Sequence, residues 1–157
     1  MKTSIELVKA LLKAKLTGGI KSFYTGDPYL IPNSLLPAIL LVPIRTETDI
    51  IDNQRDKHIH FIDIALVIDA KQYFNSTPNE MVGSTFLMET MEKELSDGTI
   101  DPNSVLGIVR KNLKLGTNRN IQNVESIDYT VRKRSDELIT LESICHISVE
   151  YMLNRPT

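Results

Sequence analysis

The sequence predicts an α+β fold: an antiparallel or mixed sheet of about four strands, with a long C-terminal hairpin and helices packed on one face. Three observations carry this reading. From Ile139 to Leu153 the odd positions Ile139, Leu141, Cys145, Ile147, Val149, Tyr151 and Leu153 are apolar or aromatic, Ser143 being the exception. The even positions carry Thr140, Glu142, His146, Ser148 and Glu150, with Ile144 and Met152 as apolar intruders. A period of two marks a strand with one buried face. Near the N-terminus, Ile5, Val8, Leu11, Leu12 and Leu16 instead recur at helical spacing. The elements between them follow the order α, β, β, α, (α), β, β, which suits a sheet with helices on one side. The 157 residues are enough for one domain, 1–157, with a real core.

The first helix opens on Thr3-Ser4-Ile5-Glu6, which has the form of a capping box, and closes at Gly18-Gly19. Lys9, Lys13 and Lys15 take its wet side. Residues 20–24 suit a short strand. Gly26-Asp27-Pro28 and the prolines at 28, 32 and 37 then mark an irregular connection. Ala38 to Val42 is a nearly continuous apolar strand, covered on both faces, and Pro43 makes its end an edge or a bulge. Residues 45–57 read as a polar insert between two strands, longer than a tight hairpin needs. His58 to Asp69 is a second long strand. Its even positions Ile62, Ile64, Leu66 and Ile68 are apolar, whereas in its first part Ile59 and Phe61 have the opposite parity. A bulge or twist near residue 61, or a partner covering the first half, would account for the switch.

Thr77-Pro78-Asn79-Glu80 is a second capping box. Met81, Val82, Met88, Met91 and Leu95 continue it as a helical face ending near Asp97-Gly98. Asp101-Pro102 starts a shorter helix through about Leu113, despite Gly107 inside it, and Gly116 and Asn118 make a turn. Val124 to Lys133 is the next strand, with Ile127, Tyr129 and Val131 on one face. Directly opposed residues of a hairpin share a face, and both apolar sets are odd-numbered. Val131 therefore pairs with Ile139 or Leu141, and the loop holds an odd number of residues, most simply three. The final strand is about twice the usual length, roughly 40–50 Å when extended. A compact chain of this size has a radius of gyration of only about 15 Å. The strand must cross the domain, bend, or project from it, which points to an assembly part.

The chemistry-bearing residue types argue against most alternatives. Lys and Arg total 18 against 20 Asp and Glu, a net charge of −2, so no general affinity for polyanions follows. Two basic clusters, Arg110-Lys111 with Lys114 and Arg119, and Arg132-Lys133-Arg134, are read as solvated surface, and direct DNA binding is not expected. The single cysteine, Cys145, allows no intramolecular disulfide and sits on an apolar face as a small hydrophobe. His58, His60 and His146 would suit zinc only if their strands were neighbours; the spacing is weak and no metal is expected. No Gly-x-Ser-x-Gly elbow, Walker loop or dinucleotide glycine pattern occurs, so neither catalytic residues nor a cofactor is expected. The longest apolar run, Leu35 to Ile44, contains two prolines and is too short for a bilayer, and the N-terminus lacks a signal-peptide core. The chain is read as cytoplasmic, with no membrane partner.

The layout resembles that of the tail terminator (tail completion, or neck) proteins of long-tailed bacteriophages. The corresponding parts are the capped first helix, Pro37-Ala38-Ile39-Leu40-Leu41-Val42, the acidic Thr46-Glu47-Thr48-Asp49 insert and the Phe61-to-Asp69 strand. The Met81-to-Leu95 helix and the Ile127-to-Tyr151 hairpin complete the set. The resemblance implies a structural virion protein, not an enzyme. It would form a hexameric ring, cap the tail tube, stop tube polymerisation and offer a surface to the head connector or another neck protein. DNA would pass through the ring, and assembly would take place in the host bacterial cytoplasm. Ring closure needs one patch to meet a different patch on the next subunit. The candidate contributors are Glu47, Asp49, Ile50 and Ile51 in the insert, Arg132, Lys133 and Arg134 at the hairpin, and the intruders Ile144 and Met152. Competing readings are another neck component, a small metal-dependent or nucleic-acid-processing protein, and a monomeric binding module.

Overall fold

A computed structural model describes residues 1–16, 18–71 and 82–154. The elements are α1 (Lys2–Lys15), β1 (Ser22–Thr25), a 3-10 turn at Asn33–Leu35, β2 (Ala38–Ile50), β3 (Arg55–Asp69), α2 (Val82–Glu92), α3 (Val105–Lys111), β4 (Lys114–Gly116), β5 (Arg119–Lys133) and β6 (Ile139–Asn154). The strands form one six-stranded sheet in the order β1-β2-β3-β6-β5-β4. β1 runs parallel to β2 and all other neighbours are antiparallel, so the sheet is mixed and the fold is α+β. The sheet has six strands rather than about four: the short strand read at 20–24 is present as β1, and the three-residue β4 is added at the other edge.

The helices pack on one face, as the sequence predicts. Ile5, Val8 and Leu12 of α1, Leu87 and Met91 of α2, and Val105, Ile108 and Val109 of α3 bury against alternate residues of the sheet. Those residues are Ile39 and Leu41 of β2, Ile62, Ile64, Leu66 and Ile68 of β3, and Leu141, Cys145, Ile147 and Val149 of β6. The other face has its own smaller core. Ala38, Leu40, Ala65 and Val67 are covered there by Ile31 and Leu36 from the 26–37 connection and by Leu138. Each fully buried aliphatic side chain of this kind contributes about 1.5–3 kcal/mol. A proline-marked loop thus does the work of a second layer.

Several expectations are corrected by tertiary context. α1 starts at Lys2 with Met1 as its N-cap and no side-chain cap; Thr3 lies inside the helix, exposed. Ser4 is buried instead and pairs with His60 across the core. The 45–57 insert is not a loop: β2 continues to Ile50, β3 begins at Arg55, and only residues 51–54 turn. Asp52 closes that turn, accepting from the Gln54 N–H at 2.8 Å and from Arg55 Nε at 2.9 Å. The Thr77–Glu80 capping box lies outside the described residues. α2 ends at Glu92, and Asp97-Gly98 belongs to a following turn bridged by Glu94 and Ile100.

The irregularity expected near residue 61 exists, but in the neighbouring strand. β3 pairs with β6 without a break from Arg55 to Asp69, so His60 shares the helix-covered face with Ile62 and is buried. The shift lies in β2, where Pro43 opposes Ile62 and Arg45 opposes Phe61, leaving Ile44 unpaired. In the hairpin of β5 and β6, Val131 opposes Leu141 and Lys133 opposes Ile139. The even-sum rule therefore holds. Five residues, 134–138, lie between the strand ends, and the bond from Arg134 N–H to the Leu138 carbonyl at 2.9 Å closes them around the three residues 135–137, an odd number either way.

Candidate functional site

The surfaces that stand out are the two ends of the sheet. Beyond Leu41, β2 is exposed along nearly its whole length, because β1 stops at Thr25 opposite Leu41. The distal parts of β2 and β3 form an arm continued by the end of β6. Thr46, Thr48 and Ile50 lie opposite His60, His58 and Asp56 on the helix-side face. Glu47 and Asp49 lie on the reverse, opposite Ile59 and Lys57. Glu47 accepts from Arg45 Nε at 3.0 Å, and Asp49 pairs with Lys57 at 3.4 Å. The tip carries Ile50, 74% exposed, with Ile51 and Leu153 also exposed.

At the opposite end is the β5–β6 turn. The β3–β6 ladder runs for 15 pairs, so the two ends are about 45–50 Å apart at about 3.3 Å per residue. Near this turn, on the helix-side face, Val131 is 66% exposed, with Tyr129 and Ile139 beside it. The alternation of β5 therefore marks a face without guaranteeing its cover. Tyr129 Oη donates to Glu92 Oε1 of α2 at 2.5 Å, and burial followed by the adjacent carboxylate pushes its pKa up.

The reverse face near the turn holds an ionic network that the sequence did not reveal. Arg134 is fully buried. Its Nε donates to Glu142 Oε1 at 2.8 Å and its Nη1 to Asp27 Oδ1 at 2.7 Å. Arg132 Nη1 donates to the other oxygen of Asp27 at 2.7 Å, and Thr140 Oγ1 donates to Glu142 Oε1 at 2.7 Å. Partial burial raises the Asp27 pKa, but Arg134 and Arg132 outweigh it and hold the carboxyl below its usual range. The triplet Arg132-Lys133-Arg134 is thus not one surface cluster. Only Lys133 and the half-exposed Arg132 face outward. Ile144 likewise packs against the smaller core of its own chain. Met152 sits half-buried on the arm opposite Lys57. Arg119, from the other basic cluster, lies over the Tyr151 ring at 3.8 Å.

The three histidines do not converge. His58 and His60 are on the helix-side face with ring centroids 6.4 Å apart, whereas His146 is on the reverse face. Among the described residues no group of three His, Cys, Asp or Glu side chains is placed to hold a metal ion. His60 Nε2 accepts from the Met1 ammonium at 3.2 Å, which leaves Nδ1–H to donate to Ser4 Oγ at 2.8 Å. His146 spans three strands, meeting Asp63 of β3 at 2.6 Å and Asp128 of β5 at 2.9 Å. Cys145 is fully buried and its thiol is pushed up to about 12 by that burial, consistent with a packing role.

The two imidazoles give stability a defined pH dependence. Burial, then the Met1 ammonium, His58 and Arg119, lower the His60 pKa to about 4. Its contribution is present above the usual 6.5 and is lost as pH falls towards 4, where the unfolded chain gains a proton that the native state refuses. For His146, partial burial acts downward, but Asp63 and Asp128 outweigh it and raise the pKa. Its contribution is complete below 6.5 and is lost as pH rises through the raised value. Urea midpoints measured from pH 4 to 9 should therefore show His146→Asn flattening the decline on the alkaline side only. A decline unchanged in that variant would contradict the assignment.

Neither a protein-family model nor a curated protein matches the sequence.

Proposed function

We propose that this protein is a ring-forming structural component of a bacteriophage tail, of the tail-terminator type. In that role it caps the tail tube, stops its growth and offers the opposite ring face to the head connector. The observation that supports this best is the polarity of the sheet: two chemically different exposed surfaces at opposite ends of one long ladder. One is an arm of paired charges, Glu47 with Arg45 and Asp49 with Lys57, tipped by Ile50 and Ile51; the other is the Tyr129, Val131 and Ile139 face beside Lys133. A head-to-tail contact needs two unlike patches on each subunit, and such contacts form rings where the rotation between copies closes. Exposed apolar residues rimmed by charge are the usual mark of an interaction surface.

The test is direct. Mixed with polymerising tail-tube subunits, the protein should shorten the tubes in proportion to its concentration, and negative-stain images should show a ring at one tube end only. Tube lengths that do not depend on its presence would overturn the proposal.

A further inference from the structure

The sheet has two open stretches of edge, placed diagonally. On one side, β1 covers only Ala38 to Leu41 of β2, so the outer edge from Arg45 to Ile50 has no strand partner among the described residues. On the other side, β4 covers only Arg119 and Asn120 of β5, so the outer edge from Val124 to Lys133 is open in the same sense. Exposed strand edges of this length pair with other strands unless something blocks them. We propose that the β2 edge of one copy pairs antiparallel with the β5 edge of the next, so that the sheet continues from subunit to subunit.

Direction, face and register all allow it. β2 and β5 run in opposite senses within a subunit, because two antiparallel steps lead from β2 through β3 to β6 and a third to β5. The two open stretches lie at different levels, Thr48 beside His58 and Val131, through Leu141, beside Ile68, so a copy offset by about 33 Å along the strands and rotated about an axis inclined to them presents these edges antiparallel. In β2 the Leu41 carbonyl points outward, to Gly26 N–H. After the shift at Pro43/Arg45, the outward-pointing backbone groups belong to Thr46, Thr48 and Ile50. In β5 Arg134 N–H bonds inward to Leu138, so Lys133, Val131, Tyr129 and Ile127 point outward. Outward residues must oppose outward residues. One register that meets this condition sets Ile50 against Tyr129, Thr48 against Val131 and Thr46 against Lys133. It sets Ile50, the most exposed apolar side chain of the arm, directly opposite Tyr129 and diagonal to Val131, the most exposed one of β5. On the reverse face it sets Glu47 against Arg132.

The same side chains disfavour a two-fold pairing of like edges. An antiparallel β2–β2 contact centred on Thr48 sets Glu47 of each copy opposite Asp49 of the other, and like charges opposed across strands are destabilising. The contact is therefore between unlike edges; it closes into a ring where the strands are inclined to the ring axis enough to absorb the offset, and otherwise generates a filament.

This inference deepens the ring reading and has its own test. Thr48 directs its backbone N–H outward, so Thr48→Pro removes a donor to the neighbour without breaking a bond to β3. Sedimentation at micromolar to high micromolar concentration should show the wild-type chain as an oligomer and Thr48→Pro as a monomer with unchanged circular dichroism and melting temperature. A mixture of Asp49→Cys and Thr130→Cys proteins, each carrying one half of an opposed pair, should give a disulfide-linked dimer on mild oxidation. Asp49→Cys mixed with Glu125→Cys should not. An oligomer that survives Thr48→Pro and fails to cross-link overturns the edge pairing and leaves tube capping to be judged separately. A monomer at every concentration overturns the edge pairing as a property of the free chain.

Discussion

Arg134→Met should lower stability by about 3–5 kcal/mol, the cost of leaving a buried charge without its partner. In a domain of this size that is a melting temperature lower by about 6–20 °C. The side chain is fully buried, and it joins three elements: β6 through Glu142, the 26–37 connection through Asp27, and the β5–β6 turn to which it belongs. Removing it strands Glu142, which is 2% exposed, and leaves Asp27 held only by Arg132. Arg134→Lys should recover little, because one ammonium cannot reproduce the fork that reaches both carboxylates. The double variant Arg134→Met/Glu142→Leu should be close to the wild type, since a well-packed apolar pair can replace a buried ion pair without loss. Thermal melts of the three variants decide the point. A single variant within about 1 kcal/mol of wild type would place the network among surface ion pairs of small worth.

Gly107→Ala should cost about 2–3 kcal/mol, against the gain of about 1 kcal/mol expected for alanine over glycine in a helix. An added Cβ would lie 2.0 Å from the Asp101 carbonyl oxygen and 2.9 Å from Pro102 Cα. Both are backbone atoms, so no side-chain rotation relieves the clash. The reason for the close approach is the cap of α3. Ser104 Oγ accepts from Gly107 N–H at 3.1 Å and donates to the Asp101 carbonyl at 2.8 Å, drawing that carbonyl over the first turn. Gly18→Ala serves as the control, because nothing lies within 4 Å of its Cβ position. Chemical denaturation should show Gly18→Ala within about 0.5 kcal/mol of wild type. Equal behaviour of the two variants would contradict the steric account.

What the sequence made legible was the part of the fold in which one side of an element meets water and the other meets the core. The stripe of α1, the alternation of β6 and the odd-numbered turn all follow from that asymmetry. The arm was not legible for the complementary reason. Thr46 to Asp49 are exposed whichever way they point, so they show no hydrophobic period and resemble a loop. The capping box at Thr3 failed because the helix already begins at Lys2, with Met1 as its N-cap, which puts Thr3 inside the first turn and Ser4 against His60, 56 positions away. Arg134 looked like one of three adjacent surface charges. Its carboxylate partners come from distant or differently read stretches, and only the folded sheet brings Asp27 to it. Val131 carries the opposite lesson: the alternation is real, yet the helix layer stops at Tyr129, which α2 reaches only through Glu92, and leaves Val131 uncovered.

The position of β6 has a consequence for how the chain comes into being. It is the last of the described strands to emerge in synthesis, yet it lies between β3 and β5 at the middle of the sheet. Its pairs with β3 join residues as far apart as Arg55 and Asn154. Until β6 arrives, β3 has a bare inner edge, and Ile62, Ile64 and Leu66 lack the neighbouring strand that completes their layer. Such a topology folds slowly, because long loops must close before the contacts that reward them form. It also leaves a nascent chain with an adhesive half-sheet, the state most prone to pair with the wrong strand. Completion of the central strand is thus the step that separates productive folding from premature association, and it comes after nearly all of the described fold has been translated.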